Sequence, residues 1–101
     1  MNDKVIWITG ASSGIGKSLA LHMGGRGARL ILSSRNAERL TEVRNALPHP
    51  EKAAILPMDL ENWTQFPGLA TEAIQIFGHV DVLVNNAGLS QRSLIADTGM
   101  E

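Results

Sequence analysis

Four short apolar runs alternate with three longer stretches whose apolar residues recur at helical spacing, and this alternation restricts the fold more than any other feature. The runs are Val5–Ile8 (VIWI), Ala28–Ser34 (ARLILSS), Ala53–Met58 (AAILPM) and a fourth within Val80–Gly88 (VDVLVNNAG). Between them lie a pattern of Ile15, Leu19 and Met23, a stretch Asn36–Leu47, and a stretch Asn62–Gly78. The chain therefore reads βαβαβαβ. Strands joined by helices of this length cannot be hairpins; they form a parallel sheet, with right-handed crossovers and helices on both faces. The strands are mostly apolar, as a sheet covered on both faces requires.

Local signals set the element ends. One of Gly24, Gly25 and Gly27 caps the first helix, whose apolar pattern runs to about Met23. Asn36 suits the N-cap of the second helix, Leu40, Val43 and Leu47 form its buried stripe, and Pro48 and Pro50 end it. Pro57 marks the third strand as short or at an edge. Pro67 belongs in the first turn of the third helix, whose apolar face is Leu69, Ala73, Ile76 and Phe77. Trp7 should pack under a helix, and Trp63 at a helix start.

The junction after the first strand, ITGASSGIGKSLA (Ile8–Ala20), concentrates glycine and hydroxyl residues where a strand turns into a helix. The first turn of a helix offers unpaired N–H groups and the positive end of its dipole, and glycine lets an anion approach the backbone. The spacing of Gly10, Gly14 and Gly16 is G-x-x-x-G-x-G; it is neither G-x-G-x-x-G nor a P-loop. On spacing alone the trio fits a tight structural turn or a phosphate cradle, and its place between strand and helix favours the cradle.

The bulk properties narrow the partners. The 101 residues suit one domain or part of one, and a net charge of −1 gives no electrostatic reason to expect nucleic acid or an anionic membrane. The absence of cysteine excludes disulfides and thiol chemistry and fits a reducing, cytoplasmic setting. No apolar run approaches the roughly 18 residues of a membrane span. The first strand begins too early for a signal peptide, and an anchor in a longer parent stays open. His22, His49 and His79 lack the spacing of a metal site and are expected in structural or surface roles.

TGASSGIG (Thr9–Gly16) together with NNAG (Asn85–Gly88) resembles the short-chain dehydrogenase/reductase family, over essentially the whole chain. The resemblance implies a doubly wound, Rossmann-type α/β sheet of strand order 3-2-1-4, with a nicotinamide dinucleotide at the C-terminal strand edge. It implies that Gly10, Gly14 and Gly16 cradle the pyrophosphate, that Ile15 offers a backbone N–H, and that Ser12 and Ser13 donate hydrogen bonds. Asp59, with Leu60 beside it, takes the family position near the adenine amino group; capping the following helix is its other reading. Asn86, Ala87 and Gly88 resemble the segment that passes the ribose nearest the nicotinamide, while Thr9 and Asn85 tie the fourth strand to the first. A homo-oligomeric parent is implied as well.

The end of the second strand bears on which dinucleotide. An acid there bonds the adenine ribose 2′-OH and repels a 2′-phosphate. In LSSRN (Leu32–Asn36) Ser34 takes that position and Arg35 follows. An arginine–phosphate contact is worth about 1.5–3 kcal/mol, so NADP(H) is favoured over NAD(H), with Ser34 and Asn36 as further donors. The alternative is a solvated surface arginine.

The family's chemistry moves a hydride between the nicotinamide and a carbonyl or alcohol carbon, using a serine, a tyrosine, a lysine and a relay asparagine. This sequence has no tyrosine, and Lys17 and Lys52 are not placed for the role. The catalytic set is expected beyond Glu101, making residues 1–101 the cofactor-binding portion of one domain, inactive alone. A non-catalytic dinucleotide-binding module and a nonfunctional truncated product are the competing readings; apolar Val82, Leu83 and Val84 on the last strand favour the portion of an enzyme.

Overall fold

The computed structural model describes residues 2–12, 14–59 and 63–86, without the side chain of Trp63. Strands β1 (Val5–Thr9), β2 (Arg29–Ser33), β3 (Ala53–Ile55) and β4 (Val82–Asn85) alternate with helices α1 (Gly14–Gly25), α2 (Ala37–Ala46) and α3 (Phe66–Phe77). Single 3₁₀ turns at Pro50–Lys52 and Trp63–Gln65 precede β3 and α3. All strand pairs are parallel, and the order is β3-β2-β1-β4. This is the doubly wound sheet that the βα alternation predicts.

Side-chain alternation along β1 divides the core into two layers. Ile6 and Ile8 join Leu30 and Leu32 beneath α1 and α2, with Leu40, Val43 and Leu47. Val5 and Trp7 join Ile31 beneath α3. Trp7 is 3% exposed, and its ring stacks on Phe66 in the first turn of α3, with centroids 5.7 Å apart and planes 3° apart. Offset stacking of this kind adds about 0.5–1.5 kcal/mol beyond area burial.

The inward faces of α1 and α3 are not simply their large apolar residues, and that of α3 departs from the expected one at Ile76. In α1 the buried residues are Gly16, Ala20 and Gly24. Leu19 and Met23 pack at the flank, and Ile15 is 53% exposed. Small residues at this i, i+4, i+8 spacing bring the helix close to the sheet: a Cβ on Gly24 would lie 3.2 Å from Leu47 Cδ2. In α3 the inward residues are Phe66, Leu69, Ala70, Ala73 and Phe77, whereas Ile76 is exposed, like Ile74. Helical spacing alone cannot choose between stripes one residue apart; the large apolar side chains outnumber the places under the helix.

The helix ends follow local chemistry. α1 continues past Met23 to Gly25, and Gly27, at φ +90°, is the left-handed residue that stops it. Gly27 N–H donates to Gly24 O and Ala28 N–H to Met23 O, at 3.1 and 3.2 Å, a Schellman closure. Asn36 caps α2 by accepting the Arg39 N–H. Gly78, at φ +94°, closes α3, and Pro67 lies in its first turn. β3 is shorter than Ala53–Met58, yet the ladder continues: Leu56 N–H donates to Leu32 O and Met58 N–H to Ser34 O. Pro57, between them, is exposed, where β3 needs no inward donor.

At the N-terminal ends of the strands, Asp81 accepts the Val5 N–H at 2.8 Å while its own N–H donates to Val5 O. This pair of hydrogen bonds pins the start of β4 to β1. Val5's N–H, and then His79 at 3.0 Å, hold the Asp81 carboxyl below its usual pKa. Asp3 accepts from Lys52 and Arg29, each at 3.3 Å, and is likewise lowered, chiefly by Lys52.

Candidate functional site

β1 lies between β2 and β4, so the chain leaves β1 toward one side and β4 reaches it from the other. The C-terminal edge at this reversal is where an open α/β sheet makes room for a ligand. Four segments meet there: the turn after β1, the exit of β2, the stretch after β3 and the end of β4.

The turn after β1 is shaped by its glycines. Gly10 and Gly14 have φ of +65° and +59°, a region that costs other residues strain. Gly16 has ordinary φ, and its constraint is contact. A Cβ there would fall on the Gly10 carbonyl oxygen and lie 2.9 Å from Asn86 Nδ2. Ala11, fully buried, donates its N–H to Ser33 O at 3.0 Å, holding the turn to β2. Ser12 is half-buried and Ile15 exposed on the rim; Ser13 lies outside the described residues. No acid occupies the first turn of α1 to oppose an anion.

β4 is tied to this turn by polar side chains. The Asn86 N–H donates to Thr9 Oγ1 at 2.9 Å, and the Thr9 hydroxyl points toward Asn85 Oδ1 at 3.1 Å and Val84 O at 3.3 Å. Thr9 and Asn85 thus have the tying role expected from sequence. Asn86 adds a contact that sequence reasoning missed: its side-chain amide donates to Gly10 O at 3.4 Å, beneath the turn. Ala87 and Gly88 lie outside the described residues.

At the exit of β2, Ser34 Oγ accepts the Asn36 N–H at 3.1 Å, and Asn36 Oδ1 accepts the Arg39 N–H at 3.0 Å. Arg35, between them, is exposed and forms no ion pair among the described residues. Asp59 is half-buried just beyond Met58, whose N–H bonds Ser34 O. The structure thereby brings Gly10, Ser12, Gly14, Ile15, Gly16, Ser34, Arg35, Asn36, Asp59 and Asn86 onto segments meeting at one sheet edge. Leu60 lies outside the described residues. Sequence reasoning also missed Ser33, which is fully buried and accepts the Trp7 indole N–H at 2.8 Å. The available signal was a polar residue at an inward position of an apolar strand.

Fold and glycine-turn edge define a Rossmann-type α/β protein. The chain belongs to the short-chain dehydrogenase/reductase family: the family model for short chain dehydrogenase matches residues 4–101. It is 39% identical over 106 residues to the mouse (Mus musculus) dehydrogenase/reductase SDR family member 7, covering 100% of this chain and 31% of that protein. Among solved structures it resembles an actinorhodin polyketide ketoreductase with NADPH, at TM-score 0.77 and 32% identity, covering 88% of this chain and 36% of that one. Levodione reductase is similar at TM-score 0.80 and 28% identity, again over 88% of this chain and 36% of the other. The chain thus spans about a third of the length of these three relatives. Among the described residues no helix is long and apolar enough to cross a membrane.

Proposed function

We propose that residues 1–101 form the cofactor-binding portion of one Rossmann-type domain of an oxidoreductase that uses NADP(H) in preference to NAD(H) and acts on a carbonyl or alcohol substrate. The observation that carries the reading is the exit of β2. Ser34 stands where an acid would repel a 2′-phosphate, its hydroxyl is turned onto Asn36, and the Arg35 guanidinium beside it has no ion-pair partner among the described residues. The glycine turn supports the reading as well, since Gly10 and Gly14 take left-handed conformations at the start of a helix whose first turn carries no acid.

In this reading Gly10, Ser12, Ser13, Gly14, Ile15 and Gly16 hold the pyrophosphate, through backbone N–H groups and hydroxyls at a helix start. Ser34, Arg35 and Asn36 hold the phosphorylated adenine ribose, Asp59 and Leu60 flank the adenine, and Asn86, Ala87 and Gly88 line the nicotinamide ribose. The dinucleotide, when bound, supplies or takes up the hydride. The similarity to a ketoreductase crystallised with NADPH supports this choice of cofactor. The chain contains no tyrosine, so the general acid, with its serine, lysine and asparagine companions, belongs to the remainder of the protein. The 101 residues alone should reduce no carbonyl substrate.

The test is Arg35→Ala in the complete protein. Calorimetry should show NADPH binding weakened by about 1.5–3 kcal/mol, roughly tenfold to a hundredfold, with NADH affinity nearly unchanged. Equal losses for both would refute the phosphate-binding role of Arg35.

A further inference from the structure

Two buried polar side chains are found among the described residues, Thr9 and Ser33, and they face each other in the β1–β2 register. Thr9 serves the β1–β4 tie. Ser33 belongs to none of the contacts assigned above to the cofactor. Its hydroxyl accepts the Trp7 indole N–H at 2.8 Å, within the layer packed under α3. An indole N–H in a dry layer needs an acceptor, and a buried hydroxyl needs a partner. Each residue therefore requires the other, and an apolar residue at position 33 would leave the donor unpaired.

The pair is attached to the site on both sides. Ser33 O receives the Ala11 N–H from the glycine turn, and the next carbonyl, Ser34 O, receives the Met58 N–H from the stretch leading to Asp59. Arg35 follows immediately. Trp7 is held in turn by its stacking on Phe66. A hydrogen bond between rigid, buried groups fixes the direction of β2's last residue in a way that apolar packing does not, because packing tolerates small rotations while the bond weakens steeply with angle. Resting on the NADP(H) reading above, we infer that the Trp7–Ser33 hydrogen bond is a positioning element, which fixes the exit of β2 and so sets the preference for a phosphorylated adenine ribose.

The test compares two probes, adenosine 2′,5′-bisphosphate and adenosine 5′-monophosphate, by calorimetry on the complete protein. They differ only in the 2′-phosphate, so a general loosening of the site weakens both and cancels in their affinity ratio. Trp7→Phe keeps a ring to stack on Phe66 and removes the donor; Ser33→Ala removes the acceptor. The ratio should fall about threefold or more in each, and the double variant should lose little beyond the single ones, as expected when one bond couples the two sites. If Ser33→Ala does not fold, Trp7→Phe alone decides. A ratio unmoved in Trp7→Phe overturns the positioning role while leaving the NADP(H) reading intact. A ratio near one in the unsubstituted protein overturns that reading, and this inference with it.

Discussion

The Thr9 hydroxyl accepts the Asn86 backbone N–H at 2.9 Å, joining residues 77 positions apart in sequence. The same oxygen lies 3.1 Å from Asn85 Oδ1, so one buried side chain closes the end of the β1–β4 pair. Thr9→Val keeps the shape and removes the hydroxyl. It should destabilise the fold by about 1–3 kcal/mol, because the Asn86 N–H then loses its acceptor. Urea denaturation checks this, with a lowered midpoint and an unchanged slope expected.

The glycines should respond unequally to alanine. Gly16→Ala places a methyl against the Gly10 carbonyl and the Asn86 amide, and backbone on one side cannot yield cheaply. The expected cost is about 1–3 kcal/mol of stability, with weakened dinucleotide binding. Gly25 has open space around its Cβ position and lies within α1. Gly25→Ala should raise stability by roughly 0.4–1 kcal/mol through a less flexible unfolded chain. Thermal melts of the two variants should shift in opposite directions.

The Asp81 carboxyl ties β4 to β1 at the opposite end of the strands and is held below its ordinary pKa, first by the Val5 N–H and then by His79. A carboxyl whose folded pKa is depressed contributes stability above its unfolded value of about 4 and loses it as pH falls through the folded value. Acid unfolding should therefore include a step in which this tie is released below about pH 4. Asp81→Ala should lower stability at neutral pH and flatten its dependence on pH in that window, read from denaturation midpoints across the range. His79 is 58% exposed on its side chain, so His79→Ala should change little.

Much of the fold was legible because its signals are local. The first two strand runs, the Asn36 cap and the prolines after α2 act through residues adjacent in sequence and fall within a residue or two of their expected places, whereas β3 ends three residues before Met58. The strand order rested on where two motifs lie, and the sheet has it. The helical spacing of Ile15, Leu19 and Met23 announced α1 but not its buried face, since those residues stand out by size while Gly16, Ala20 and Gly24 are selected by how near the helix must come. The polar contacts Asp81–Val5, Asn86–Gly10 and Ser33–Trp7 were invisible for another reason. Each links residues at least 26 positions apart, and a pairing between distant polar groups leaves no periodicity to read.

Pro57 gives the two flanks of the sheet different prospects. On the β3 flank the chain continues to bond inward through Leu56 and Met58, while the residue between them has no N–H to present outward. A foreign strand laid along that rim would meet a missing donor and a ring in its path, so lateral growth there is interrupted. Extension of the sheet is thereby steered away from β3, toward β4.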